Sequence, residues 1–155
     1  MQLLSENRRA PFTEDEIRQA FRDNGLRFTR QRASIYRALI STRSHPTAEE
    51  LFAAVRDEQP QVSLATIYNT LDALTGAGLC RRLPGATASG ACRYDADTTA
   101  HAHLIADSGE ILDVPDDLSD RLVQSLPSDV IAEMERRFGV AVKRVELHLF
   151  ASISR

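Results

Sequence analysis

Cysteine is scarce in this chain of 155 residues: Cys80 and Cys92 are all it has. Two thiols build neither a disulfide framework nor a four-thiolate zinc centre, so any bound metal has to rest on imidazoles and carboxylates. Tryptophan is absent and Lys143 is the single lysine, so positive charge is carried almost wholly by arginine. No apolar run approaches the ~20 residues of a membrane helix. Residues 1–9 lack the apolar stretch of a secretory signal. These absences predict a cytoplasmic protein with no membrane partner. With 43% hydrophobic and 26% charged residues, the composition is that of a folded globular chain.

The formal charge of −3 conceals an asymmetry. Residues 1–82 carry 12 arginines against 10 acids, and residues 83–155 carry 7 basic residues against 12 acids. Six arginines (22, 27, 30, 32, 37 and 43) fall between positions 22 and 43, opposed by Asp23 alone. A local basic patch is what phosphate contact requires, whatever the total charge. A solvated helical face has the same composition, so the patch alone decides nothing.

The first half reads as four helices. Thr13 with Glu16, and Thr47 with Glu50, are capping-box pairs, and Thr29 and Ser63 are single N-caps. Apolar residues follow each cap at helical spacing, and Gly25, Pro60 and Gly76–Ala77–Gly78 close the segments. Short strands are expected over 79–83 and 91–94, around a loop of small residues from Pro84 to Gly90. Helices followed by such a hairpin suggest a winged helix-turn-helix, with the fourth helix entering the major groove. Strand-like segments then fall at 101–106 and 110–114. Helices are expected at 117–126 and 128–138, and a long final strand at 140–153 from the alternation of Val140, Val142, Val145, Leu147 and Leu149. The expected class is α+β: a DNA-binding domain over 1–84, a wing end and hinge over 85–93, and a small α/β dimerisation domain over 94–155. A unit of about 60 residues is marginal alone, which favours pairing with a second copy.

His101 and His103 stand two apart on an expected strand, where alternate residues share a face. Asp95 ends the preceding strand, Asp113 lies on the strand paired with the histidines, and His45 precedes a helix cap. Three imidazoles and two carboxylates suit Fe, Mn or Zn. Two ordinary histidines would read the same way, and His148 is placed in that plainer class. The same five residues would suit a metallohydrolase, but no general base stands beyond the ligands. No catalytic residue is assigned, and the chain is read as a non-enzyme. A metal-buffering module without DNA binding is the third alternative.

Three segments carry a resemblance: Gly25-Leu-Arg-Phe-Thr-Arg-Gln-Arg32, His45-Pro-Thr-Ala-Glu-Glu-Leu51 and Val62-Ser-Leu-Ala-Thr-Ile-Tyr-Asn-Thr-Leu71. With Arg93-Tyr-Asp95, His101-Ala-His103 and Gly109-Glu-Ile-Leu-Asp113, the chain resembles the ferric uptake regulator family of metal-dependent repressors over residues 18–150. The resemblance implies a homodimer binding double-stranded operator DNA, with one regulatory Fe(II) or Mn(II) per subunit and zinc able to enter in vitro. His45, Asp95, His101, His103 and Asp113 would be the ligands. The order His, Asp, His, His, Asp is similar to the peroxide-sensing branch, since iron-uptake regulators usually place Glu at the two carboxylate positions. That branch implies iron-catalysed oxidation of His45 or His101. The alternative is an iron-level or haem-dependent regulator. Arg30, Arg32 and Arg37 are candidates for phosphate contact, and Ser63, Thr66, Tyr68 and Asn69 for the groove. The family's paired CxxC motifs are missing, so no structural zinc is expected. Cys80 and Cys92 are read as small apolar residues.

Overall fold

The computed structural model describes residues 12–42, 44–87 and 90–152. Arg43 of the basic patch and Ile153 of the expected final strand lie outside them. The chain divides into two compact units: residues up to Leu83 with Ala91–Thr98, and Pro84–Gly90 with Thr99 onward.

The first unit begins with four helices, α1 (Glu14–Asp23), α2 (Arg30–Ile40), α3 (Ala48–Val55) and α4 (Leu64–Gly76). Each starts where a hydroxyl accepts from the first turn: Thr13 from the Glu16 N–H, Thr29 from Arg32, Thr47 from Glu50 and Ser63 from Thr66. Glu16 and Glu50 return the bond to the cap backbone, completing both expected boxes. Ile17, Phe21, Ile35, Leu39, Leu51, Ile67, Leu71 and Leu74 are buried in one core. The rings of Phe21 and Tyr36 meet at 5.5 Å. The hairpin β1 (Arg81–Leu83) and β2 (Arg93–Asp95) pairs antiparallel, with Arg81 opposite Asp95. Tyr94 of β2 packs into the helical core. Both strands are shorter than the sequence suggests, because pairing runs only where the two are in register. The ladder also keeps β2, including Asp95, with the first unit, whereas the sequence reading began the second domain at 94.

The second unit is a three-stranded sheet with two helices. β3 (His103–Ala106) pairs antiparallel with β4 (Ile111–Asp113) and parallel with β5 (His148–Ala151), in the order β4-β3-β5. Helix α5 (Asp116–Gln124) is tied down by Ser119, whose hydroxyl donates to the Val114 carbonyl and accepts from the Ala102 N–H. Helix α6 (Ser128–Phe138) ends at Gly139, whose φ of 65° is left-handed, as a glycine cap allows. The expected strand over 140–153 is corrected to four residues. β5 has one neighbour, β3, which is itself four residues long, so alternation before 148 finds no ladder to join. Instead the Val140 N–H donates to the Glu135 carbonyl and the Val142 N–H to the Glu135 carboxylate.

Candidate metal centre and nucleic-acid interface

In the second unit, His103 opens β3 directly opposite Asp113 on β4. Its Nε2 lies 3.5 Å from Asp113 Oδ1, and His101 Nε2 lies 3.2 Å from the same oxygen. His101 precedes β3 and is not a strand residue, correcting the expected strand start at 101. Its ring still joins that of His103, at 4.4 Å between centroids. Both histidines are buried, while the Asp113 side chain is half exposed.

The protonation of His101 follows from its other nitrogen. Nδ1 lies 2.9 Å from the Thr99 carbonyl oxygen, which can only accept, so Nδ1 carries a proton. In the neutral ring Nε2 is then a lone pair facing a carboxylate. Two acceptors at 3.2 Å attract each other only through a proton or a cation. Holding the outer N–H on a backbone carbonyl is also the common arrangement for a metal-ligating imidazole. The donor set fits a divalent ion of intermediate softness.

In the first unit, His45 Nε2 is 3.9 Å from Asp95 Oδ2, with both side chains buried. The other carboxylate oxygen, Oδ1, accepts the Asp97 N–H at 2.7 Å, leaving Oδ2 as the atom turned to the imidazole. His45 has φ 48°, the one positive φ on a non-glycine residue among those described. A side chain there costs of order 1–3 kcal/mol, and such strain gathers at functional sites. Three bonds hold the conformation: Arg93 donates to the His45 carbonyl at 3.0 Å and to Glu50 at 3.2 Å, and the Tyr94 N–H donates to the Pro46 carbonyl at 3.0 Å. Arg93 lies 48 positions from His45, so sequence reasoning missed its clamping role.

His148 sits beside His103 on β5, with ring centroids 5.6 Å apart. Burial, with a smaller effect of the neighbouring His103 and against an opposing one of Glu146, lowers its pKa from the ordinary imidazole value. Burial pushes the Cys80 thiol up to about 11, so it is protonated at neutral pH.

Of the arginines that the sequence singles out for phosphate contact, Arg30 is exposed and Arg32 and Arg37 are half-buried. Arg32 donates to the Arg27 carbonyl at 3.1 Å. Ser63 and Thr66 are occupied in the α4 cap, their hydroxyls 2.9 Å apart. Tyr68 and Asn69 are exposed on α4. The Tyr68 hydroxyl donates to Glu49 at 2.8 Å, which raises the phenol pKa and lowers that of the carboxyl. Glu49 was not a sequence candidate, because nothing local links it to a residue 19 positions on.

Residues 23–147 match the model of the ferric uptake regulator family. A peroxide-responsive repressor of Staphylococcus saprophyticus is 35% identical over 136 residues, covering 87% of this chain and 86% of that one. The ferric uptake regulator of Pseudomonas aeruginosa, solved with manganese, superposes with a TM-score of 0.66 at 26% identity, covering 89% of this chain and 98% of that one. That of Vibrio cholerae gives 0.64 at 26% identity, covering 88% and 99%. With four-fifths of its length inside the family model, the chain belongs to the ferric uptake regulator family.

Proposed function

We propose that the chain is a homodimeric transcriptional repressor, peroxide-responsive, whose operator binding requires one Mn(II) or Fe(II) per subunit on His45, Asp95, His101, His103 and Asp113. The observation that carries this is the convergence of His101 Nε2 and His103 Nε2 on one Asp113 carboxylate oxygen, at 3.2 and 3.5 Å, with the outer nitrogen of His101 held by the Thr99 carbonyl. When bound on these residues, ferrous iron would supply redox activation of peroxide, the two electrons that reduce it coming in net from a ligand imidazole, which would gain one oxygen atom while the other leaves as water. The chain's own part is to orient the donors: Thr99 fixes the His101 ring, Arg93 fixes the His45 backbone and Asp97 fixes the Asp95 carboxylate. An oxidised imidazole is a weaker donor, so oxidation of His45 or His101 lowers metal affinity. Moving a two-state switch from 1:99 to 99:1 takes about a 10⁴-fold preference for one state.

The dimer reading rests on α6 and β5. Val130, Met134 and Phe138 recur every four residues along α6, yet none is buried, and Phe138 is 75% exposed. Leu149 and Phe150 of β5 are exposed as well. An apolar stripe of this kind marks an interaction surface. No described helix is long and apolar enough to cross a membrane. Arg30, Arg32 and Arg37 are assigned to phosphates, and Ser63, Thr66, Tyr68 and Asn69 to the groove.

The test is operator retardation with Mn(II), without it, and with His101→Ala. Retardation only in the metal-loaded wild type supports the reading, and equal retardation in all three contradicts it. An iron-level regulator is the second reading, favoured by the likeness to the two ferric uptake regulators. It differs in that its Fe(II) form survives peroxide.

A further inference from the structure

Arg81 is a buried arginine, 4% exposed, on a strand whose neighbour Arg82 is exposed. It stands directly opposite Asp95 in the β1–β2 ladder. Directly opposed residues share a face of the ribbon, with Cβ atoms ~5 Å apart. The guanidinium reaches the turn after Asp95, where it donates to the Thr98 carbonyl. A buried guanidinium has to be matched by an anion. Two acids lie on that turn: Asp95, buried and in register, and Asp97, half-buried. Asp95 is the one that faces His45.

We propose that Arg81 is a positioning residue that serves as the counter-ion of Asp95 in the metal-free protein and thereby sets the metal concentration at which the site fills. The proposal rests on Asp95 being a ligand, as inferred above. Without metal, the guanidinium balances the buried carboxylate and holds the turn through Thr98. If Asp95 held a divalent cation, two positive groups would compete for one carboxylate. Charges a few ångströms apart in protein interact by kcal/mol, even with an effective dielectric of ~20. Arg81 therefore stabilises the empty site and opposes the filled one, weakening affinity without contributing a ligand.

The experiment measures Mn(II) affinity by the loss of the free-ion EPR signal, with melting temperatures of the apo and Mn(II)-loaded full chain. Arg81→Gln and Arg81→Met remove the charge, the latter keeping most of the apolar stem, and Arg81→Lys keeps the charge. The expected result is roughly tenfold tighter Mn(II) binding in the Gln and Met variants and near wild-type affinity in the Lys variant. Their apo forms should melt lower and gain more from Mn(II) than wild type does, because stabilisation by a ligand grows with the logarithm of its concentration over Kd. If an apo variant is unfolded, Mn(II)-induced refolding followed by circular dichroism gives the same comparison. A double-mutant cycle assigns the partner: the tightening should vanish beside Asp95→Asn and persist beside Asp97→Asn. Unchanged or weaker binding in the Gln and Met variants overturns the proposal, as does a cycle that couples Arg81 to Asp97. If Asp95→Asn alone leaves affinity unchanged, the ligand assignment fails. If Asp95→Asn weakens binding while the Arg81 variants do nothing, only the counter-ion role fails.

Discussion

His103 and Asp113 face each other across the β3–β4 ladder, with the imidazole Nε2 3.5 Å from the carboxylate Oδ1. Strand register therefore fixes this pair, and a one-residue slip would carry Asp113 to the other face. His101 reaches the same oxygen from outside the strand, steered by its bond to the Thr99 carbonyl.

The first prediction concerns this shared oxygen. Asp113→Asn should weaken Mn(II) binding at least tenfold by calorimetry, since an amide removes the charge both imidazoles face. Asp113→Glu should keep binding but lower the yield of histidine oxidation, because the longer carboxylate shifts the geometry around iron. Wild-type affinity in the Asn variant would remove Asp113 from the ligand set.

His45 allows strain and ligation to be separated. Glycine occupies φ 48° without the penalty an L side chain meets there. His45→Gly should therefore be more stable than His45→Ala by about 1 kcal/mol in urea unfolding. Both should lose Mn(II)-dependent operator binding alike. Equal stabilities would show that the φ carries no strain.

Two readings of the basic half can be told apart by salt. If Arg30 and Arg32 contact phosphates, alanine at either should lower affinity for all sequences and reduce the log–log salt slope by about one. Asn69→Ala should change the ranking of operators instead. Filter binding across salt on two operators measures both effects.

Exhaustive chelation should leave a folded dimer by analytical ultracentrifugation, because both cysteines lie in the first unit and no thiolate zinc site can hold the second together. Phe138→Glu, by charging the exposed stripe of α6, should yield monomers. A chelation-induced monomer would reveal a structural metal.

Cys80 provides a pH test. Burial pushes the folded thiol up to about 11, against 9.0 for an unburied cysteine. The stabilisation is whole below pH 9 and is lost as pH rises from there toward 11, by roughly 2–3 kcal/mol at 1.36 kcal/mol per unit. The stability difference between wild type and Cys80→Ala should shrink over that window. At pH 7 the folded thiol should resist alkylation.

The helices of the first unit were legible because their start signals are local: a hydroxyl at the cap and, at Thr13 and Thr47, a glutamate three residues on. The five proposed ligand positions were chosen as residue types, and Asp113 as a strand partner was legible for His103 but not for His101, which lies outside the strand. What was not legible depends on distant pairing. The alternation from Val140 reads as strand in any window, but only the length of β3 limits β5 to four residues. The left-handed His45 has no sequence mark, because the bonds that impose it come from Arg93 and Tyr94 on another element. Arg81 and Arg82 are indistinguishable in sequence, and one is buried only because alternate residues of β1 face the core.

The most direct test of the account compares the Fe(II)- and Mn(II)-loaded protein under equal low peroxide. Operator retardation is followed together with the mass of the peptides carrying His45, His101, Cys80 and Cys92. The account predicts that the Fe(II) form loses its operator as +16 Da appears on His45 or His101, while the Mn(II) form keeps both intact. Equal loss in both forms, or oxidation confined to Cys80 and Cys92, would contradict it.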